Sequence, residues 1–354
     1  ACVRSIRALM SYNSTDSLIS STTSDSGGVG GGQEEKVQQQ RYLLVLNPMS
    51  GSGKGMQIYN DTVKPMLDQT NKHYDLFVTT HGGHATERCH SMKQRNNDMD
   101  KDALDISQYT ALIMLGGDGV LFEVMQGIHQ RDDSWELLSR LTFGVVGTGS
   151  CNGLAKSLLY EAQDEDYNVL ESIFLICKGR TKPADLSLYK VFSSGSSNVS
   201  TSTKLTKGES NEDKKASTYI GFLSYTWGLV ADIDLESEYL RWLGPLRIEV
   251  YSFWRITRLR RYKATFMYLP PTSPDNNITA LASTTRKKPS FQDGRDDWSN
   301  NLACSTTPSS SDWKTISDEF ITFWVHHVPY TSYNIMSSPT STLNDGLFRV
   351  LLCR

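Results

Sequence analysis

Leu112-Ile113-Met114-Leu115-Gly116-Gly117-Asp118-Gly119-Val120-Leu121-Phe122-Glu123 passes from an apolar run, through three glycines around one carboxylate, into a helical pattern. Read physically, it is a buried strand whose carboxyl end turns tightly into a helix. Glycine is the residue that meets positive φ or a close backbone approach without a Cβ penalty. In open parallel sheets the crevice beyond the strand carboxyl ends is where nucleotides bind. Asp118 is expected to sit in that crevice. The competing reading is a glycine turn whose Asp caps the next helix.

Outward from this stretch the texture repeats. Leu43–Leu46 reads as a continuously buried strand. It enters Asn47-Pro48-Met49-Ser50-Gly51-Ser52-Gly53-Lys54-Gly55, and a helical pattern with Tyr59, Val63, Met66 and Leu67 follows. The spacing then predicts a strand at Leu76–Thr79, a helix over 85–95, a strand at Ala111–Leu115 and a helix at Val120–Gln130. Next come a strand at Phe143–Val146, the turn Gly147-Thr148-Gly149, a helix from Gly153 and another over Tyr167–Cys177. Alternating strands and helices with glycines at the strand ends predict a doubly wound α/β domain over 41–180.

After residue 180, strand-like runs at Asp185–Phe192, Tyr219–Val230, Tyr262–Leu269, Phe320–Val328 and Phe348–Leu352 predict a mainly antiparallel β domain over 181–354. One helical passage is expected near Glu236–Arg258. Two polar insertions, 193–217 and 272–318, are expected to be mobile. Residues 1–40 are rich in Ser, Thr and Gly and are expected to be disordered, with a short helix at Val3–Leu9 left unassigned. His326 and His327 fall on opposite faces of an expected strand, so at most one would be buried.

The formal charge of −3 gives no support to bulk nucleic-acid binding. The six cysteines form no CxxC pair, which is the usage of a reducing compartment. A soluble intracellular protein is expected. The start at Ala1 without Met reads as a fragment.

Asn47–Gly55 sets three glycines, two serines and a lysine at a strand-to-helix junction. Backbone N–H groups there, with Lys54, would receive phosphate oxygens. The spacing is not that of a Walker A loop, and Asn152 stands where a GxGxxG motif needs its third glycine. Three glycine turns at three strand ends of one sheet converge on one edge, and that convergence is the stronger signal.

Asn47-Pro48-x-Ser50-Gly51-x-Gly53-Lys54, Gly116-Gly117-Asp118-Gly119 and Gly149-Ser150-x-Asn152 resemble the diacylglycerol-kinase-type catalytic domain of lipid kinases. NAD kinases share the Gly-Gly-Asp-Gly element. Trp227-Gly228-Leu229-Val230-Ala231-Asp232-Ile233-Asp234-Leu235-Glu236-Ser237-Glu238, with Arg241, Leu243-Gly244 and Arg247, resembles the sphingosine kinases. The likeness covers 41–354 apart from the two insertions.

The resemblance implies a two-domain lipid kinase fold with the nucleotide site in the cleft between the domains. It also implies ATP-dependent phosphorylation of a sphingoid base. Asn47, Ser50, Gly51, Gly53 and Lys54 match the first nucleotide loop, and Thr79 a threonine near the adenosine. Gly117 and Gly119 flank Asp118, which matches the proposed general base. Gly149 and Ser150 match the second phosphate loop, while Arg241 and Arg247 match phosphate-contacting arginines. Asp234 matches the acidic residue that recognises the headgroup, Glu238 is taken as a second substrate-binding residue, and the acidic run Asp232, Asp234, Glu236, Glu238 favours a cationic lipid over diacylglycerol. Mg²⁺ is expected across the β- and γ-phosphates, with its protein ligands unassigned.

Residues 246–262 form a basic amphipathic stretch. It suits an anionic membrane surface or a calmodulin-like partner, which the family binds in this region. Peripheral recruitment of a cytoplasmic protein follows from that reading. Core packing with solvated arginines is the alternative. Cys151 stands where the family has glycine, and would crowd phosphates if its position needs positive φ. The family's closing Asp-Gly-Glu element has no counterpart, so truncation is expected. The competing activities are diacylglycerol, ceramide or NAD kinase, or a catalytically inactive scaffold.

Overall fold

The computed structural model describes residues 3–9, 41–70, 72–91, 105–162, 167–179, 181–192, 216–243, 246–271 and 313–354. They fall into two compact units. One comprises Ile6–Pro183 and Tyr330–Ser337, the other Ala1–Ser5, Ala184–Pro329 and Ser338–Arg354.

The first unit is α/β. Its strands are β1 (Val3–Leu9), whose first three residues belong to the second unit, β2 (Arg41–Leu46), β3 (His73–Val78), β4 (Ala111–Gly116) and β5 (Thr142–Gly147). They run parallel in the order β3-β2-β4-β5-β1. Its helices are α1 (Gly55–Ile58), α2 (Lys64–Asp68), α3 (His84–Ser91), α4 (Asp118–His129), α5 (Ser134–Arg140), α6 (Gly153–Glu161) and α7 (Val169–Lys178). A π-helical turn, Tyr59–Val63, joins α1 to α2.

Strand side chains alternate between faces, and here both faces are buried. Tyr42, Leu44, Leu46, Ile113 and Leu115 pack with Tyr59, Val63 and Leu67 below and with Ile173 and Ile176 of α7. Leu43, Val45, Leu112 and Met114 point the other way and are equally buried. Apolar runs without polar alternation are what a sheet covered on both sides requires. Val3–Leu9, expected to be disordered or to form a short helix, is instead a strand that pairs parallel with β5, Arg7 opposite Thr142.

The second unit is β-rich. Its elements are β6 (Thr181–Phe192), which begins in the first unit, β7 (Ala216–Gly221), β8 (Ser224–Gly228), α8 (Leu229–Glu236), α9 (Leu246–Thr257), β9 (Tyr262–Tyr268), β10 (Lys314–Phe320) and β11 (Thr322–His326). The chain then returns to the α/β unit as a hairpin, β12 (Tyr330–Ser332) and β13 (Ile335–Met336). β14 (Arg349–Cys353) completes an antiparallel sheet in the order β14-β11-β8.

Four further local expectations change. Tyr219–Val230 is not one strand: Gly228 sits at φ +81°, and the chain turns there into α8. Lys314–Asp318, read as part of a polar insertion, pairs with β9, Ile316 opposite Phe266. His326 and His327 are both buried, because β11 ends at His326 and alternation stops with it. Residues 330–337, read with the β domain, bond instead to the α/β unit. The expectations for 10–40, 193–215 and 272–312, and for the helix end at 92–95, lie outside the described residues. Among the described residues no helix is long and apolar enough to cross a membrane.

Candidate active site

Three loops meet at the carboxyl edge of the parallel sheet. The Asn47 amide bonds to Leu115 O at 3.0 Å, and the Thr148 amide to Gly116 O at 3.0 Å, so each loop is laced to β4. A Cβ on Gly51 would lie 2.3 Å from Thr148 O, and one on Gly149 would lie 2.5 Å from Gly117 Cα. Ser50 Oγ is 3.9 Å from the Cβ position of Gly117. Backbone this close leaves no room for side chains, which is the reason for glycine at these sites.

Within the first loop Gly51 and Gly53 hold φ of +59° and +74°, and Asn47 Oδ1 accepts the Met49 amide at 3.0 Å. Ser50 is buried, whereas Lys54 is exposed at the start of α1. Thr79 is buried at the end of β3 with its amide on Leu46 O at 2.8 Å. Gly119 is exposed in the first turn of α4, and Ser150 is exposed in the third loop.

The left-handed residue of the third loop is Asn152, φ +54°, not Cys151. Asn152 Oδ1 accepts the Gly149 amide at 2.8 Å and its Nδ2 donates to Gly149 O at 2.7 Å. A short polar side chain that closes such a ring tolerates this conformation. The concern over a Cβ at Cys151 therefore falls away.

Asp118 lies at the junction of the loops. It is the first residue of α4, yet it caps another helix. Its Oδ2 accepts the Gly153 amide at 2.9 Å and its Oδ1 the Leu154 amide at 3.0 Å. Burial pushes its carboxyl above the usual carboxylate range, and these amides oppose the rise.

Sequence reasoning missed Tyr167. Its phenol donates to Gly147 O, and its ring centroid is 6.1 Å from that of Tyr333. Burial raises its pKa, with a smaller push from the Asp118 charge. The stretch of Tyr167 gave only a helical period, with no sign of this contact.

The other expected site residues lie in the β-rich unit. Asp234 is exposed on α8. Glu238 is spent on Arg247, Nη1 to Oε1 2.7 Å. Arg241 lies in the 3₁₀ turn Ser237–Leu243, and its side chain is outside the description. Asp232 and Glu236 are structural. Asp232 receives the buried Arg255 at 2.5 Å and the Tyr262 hydroxyl at 2.6 Å. Glu236 receives Arg260 at 2.5 Å and the Tyr251 hydroxyl at 2.7 Å. Among the described residues no group of three His, Cys, Asp or Glu side chains is placed to hold a metal.

Residues 41–189 match the diacylglycerol kinase catalytic domain. The chain is 28% identical over 320 residues to sphingosine kinase 1 of Arabidopsis thaliana, covering 89% of this chain and 56% of that protein. It is 34% identical over 256 residues to sphingosine kinase 1 of Caenorhabditis elegans, covering 70% and 47%. The chain thus spans about half the length of these curated relatives. Its fold is similar to that of a solved Bacillus anthracis protein described as a candidate diacylglycerol kinase. The TM-score is 0.52 at 16% identity, over 91% of this chain and 76% of that one.

Proposed function

The chain belongs to the diacylglycerol-kinase-type lipid kinase superfamily, and on that premise we propose that it transfers the γ-phosphate of ATP to the primary hydroxyl of a sphingoid base such as sphingosine. The observation that carries the reading is the meeting of Gly51, Gly117 and Gly149 around Asp118 at one sheet edge.

In phosphoryl transfer the protein supplies mainly position and charge stabilisation. The amides of the three loops, with Ser50, Ser150 and the exposed Lys54, would hold the phosphates. Thr79 would lie toward the nucleoside. Asp118 would accept the proton of the attacking hydroxyl, a role typically worth about 10²–10⁴ in rate. Its oxygens accept backbone amides, and an ionised carboxylate offers about four acceptor sites in all, so capacity remains for a proton. The rise in its pKa moves it toward working pH. Arg241 and Arg247 are carried into this reading by the resemblance alone, as phosphate-contacting residues.

Mg²⁺ suits this donor set as an ion carried mostly by phosphate oxygens and water, with Asp118 the carboxylate bonded beside the third loop. It would neutralise charge on the phosphates.

Headgroup choice rests on Asp234. Asp232 and Glu236 are consumed by arginines and tyrosines, whereas Asp234 stays exposed. An open carboxylate favours a lipid ammonium over uncharged diacylglycerol or ceramide. On α9, Leu246, Val250, Phe253 and Ile256 are exposed beside Arg258. That face would suit an anionic membrane surface or a calmodulin-like partner, and so peripheral recruitment from the cytoplasm. Labelled ATP offered with sphingosine, diacylglycerol, ceramide and NAD tests the reading. Transfer to sphingosine in excess of the others is expected, and equal or greater transfer to an uncharged lipid would refute the headgroup assignment.

A further inference from the structure

The third phosphate loop is not held by its own domain sequence alone. The hairpin Tyr330–Met336, more than 170 residues downstream, is laid along it. The Tyr333 amide donates to Cys151 O at 2.6 Å, and Asn152 and Ser332 form an antiparallel bridge. Ser157, fully buried on α6, ties both sides: its Oγ donates to Gly153 O at 2.8 Å and accepts the Tyr330 amide at 3.1 Å. Gly153 is in direct contact, since a Cβ there would lie 2.6 Å from Thr331 O. Gly153 is also the residue whose amide Asp118 holds.

From this we infer that the hairpin is a positioning element for nucleotide binding, and that Ser157 and Gly153 are the residues through which it sets the loop Gly149–Asn152 and the amides facing Asp118. The inference rests on the kinase reading and adds that residues 41–189 do not complete the phosphate site by themselves. The physical reason is the backbone of residues 149–153, which turns through a left-handed residue into a helix start. Such a segment exposes polar groups that need partners, and the hairpin supplies them for Cys151.

Gly153→Ala is the sharpest test. Alanine favours the helix, and Gly153 has no positive φ, so the substitution acts as a wedge between helix start and hairpin. The full chain is assayed for equilibrium ATP binding, for kcat/KM with each substrate, and for amide hydrogen exchange. Faster exchange over 149–154 is expected, with β2 and β4 unchanged. We expect kcat/KM for ATP to fall about 10- to 100-fold, as for a displaced binding group. The KM for sphingosine should stay within about twofold. Ser157→Ala, which removes only the bridging hydroxyl, should act in the same direction and carries the test if Gly153→Ala does not fold. Parental ATP affinity in the folded variants overturns the inference. Absence of ATP binding by the parent chain would instead remove the kinase reading beneath it.

Discussion

Asp118 accepts the backbone amide of Gly153 at 2.9 Å, so the first residue of α4 fixes the first residue of α6. A second amide, from Leu154, is held by its other oxygen. Helix starts leave amides without partners and favour negative charge, and a carboxylate answers both needs. Asparagine carries one acceptor and would turn its NH₂ toward the other amide. Asp118→Asn is therefore expected to weaken ATP binding as well as to lower kcat, by about 10²–10⁴ for a lost general base. Single-turnover rates and equilibrium ATP binding measured together check this. A near-parental rate would end the general-base role, and ATP affinity held at the parental value would show that the cap does not shape the loop.

The same carboxyl sets an expectation for pH. Burial raises its pKa, and the backbone amides of Leu154, Gly153 and Asp118 itself only partly offset that. A base works in its charged form, so turnover should fall as pH drops through a value above the ordinary carboxylate range. The profile of kcat against pH at saturating substrates reads it. An acid limb at the ordinary Asp value, about 3.9, would mean that the rate does not report this group.

Asp234 is exposed, and no helix cap or ion pair depends on it among the described residues. Asp234→Asn should thus leave stability within about 0.5 kcal/mol, the usual range for a surface change. Its effect should appear as a higher KM for sphingosine with little change in the KM for ATP. Initial rates over both substrate concentrations separate the two. An unchanged lipid KM would take the headgroup role from Asp234.

Much of this was legible from residue order. Unbroken apolar strands at Leu43–Leu46 and Leu112–Leu115 announced a sheet covered on both faces, and the glycines announced backbone contact at its edge. Pattern could not show long-range partners. Asp118 as a cap for Gly153 joins residues 35 apart, and the hairpin joins Tyr333 to Cys151 across most of the β-rich unit. Neither leaves a local periodicity. The acidic run over 232–238 was visible as charge, but its division into structural and open carboxylates depends on Arg255 and Arg260, read before only as members of a basic stretch.

Arg255 gives a stability prediction. It is 1% exposed, pairs with Asp232 at 2.5 Å and donates to Arg258 O at 3.0 Å. Arg255→Ala would leave the mostly buried Asp232 carboxylate with the Tyr262 hydroxyl and Arg260 at 3.8 Å but without its buried partner, and removing one partner of a buried pair costs about 3 kcal/mol. Arg255→Lys should recover only part of it, because an ammonium cannot reproduce the planar fork. Denaturant midpoints measure both. Since Asp234 lies between Asp232 and Glu236 on α8, the alanine variant should also raise the lipid KM. A loss below about 1 kcal/mol would class the pair with surface bridges.

The two adjacent histidines supply an acid response in the β-rich unit. Burial depresses both pKa values to about 4. His327 Nε2 is 2.9 Å from Ser187 Oγ and 2.8 Å from the Tyr189 hydroxyl, and the Phe348 ring stands at its edge. Asp345 is the charged group that opposes the depression at His327, and it is already engaged by Arg349. In the unfolded chain an imidazole protonates near 6.5, so between about pH 6.5 and 4 the unfolded state binds more protons. The neutral rings' contribution is present above that window and is lost as pH falls through it, about 3 kcal/mol for each ring at most. His327→Gln, which is neutral at every pH in the window, should flatten that fall by about the share of one ring. Unfolding midpoints at pH 7, 5.5 and 4.5 compare the two chains. If the parent and variant curves run parallel, His327 takes up its proton without unfolding, and its burial does not govern the acid limit.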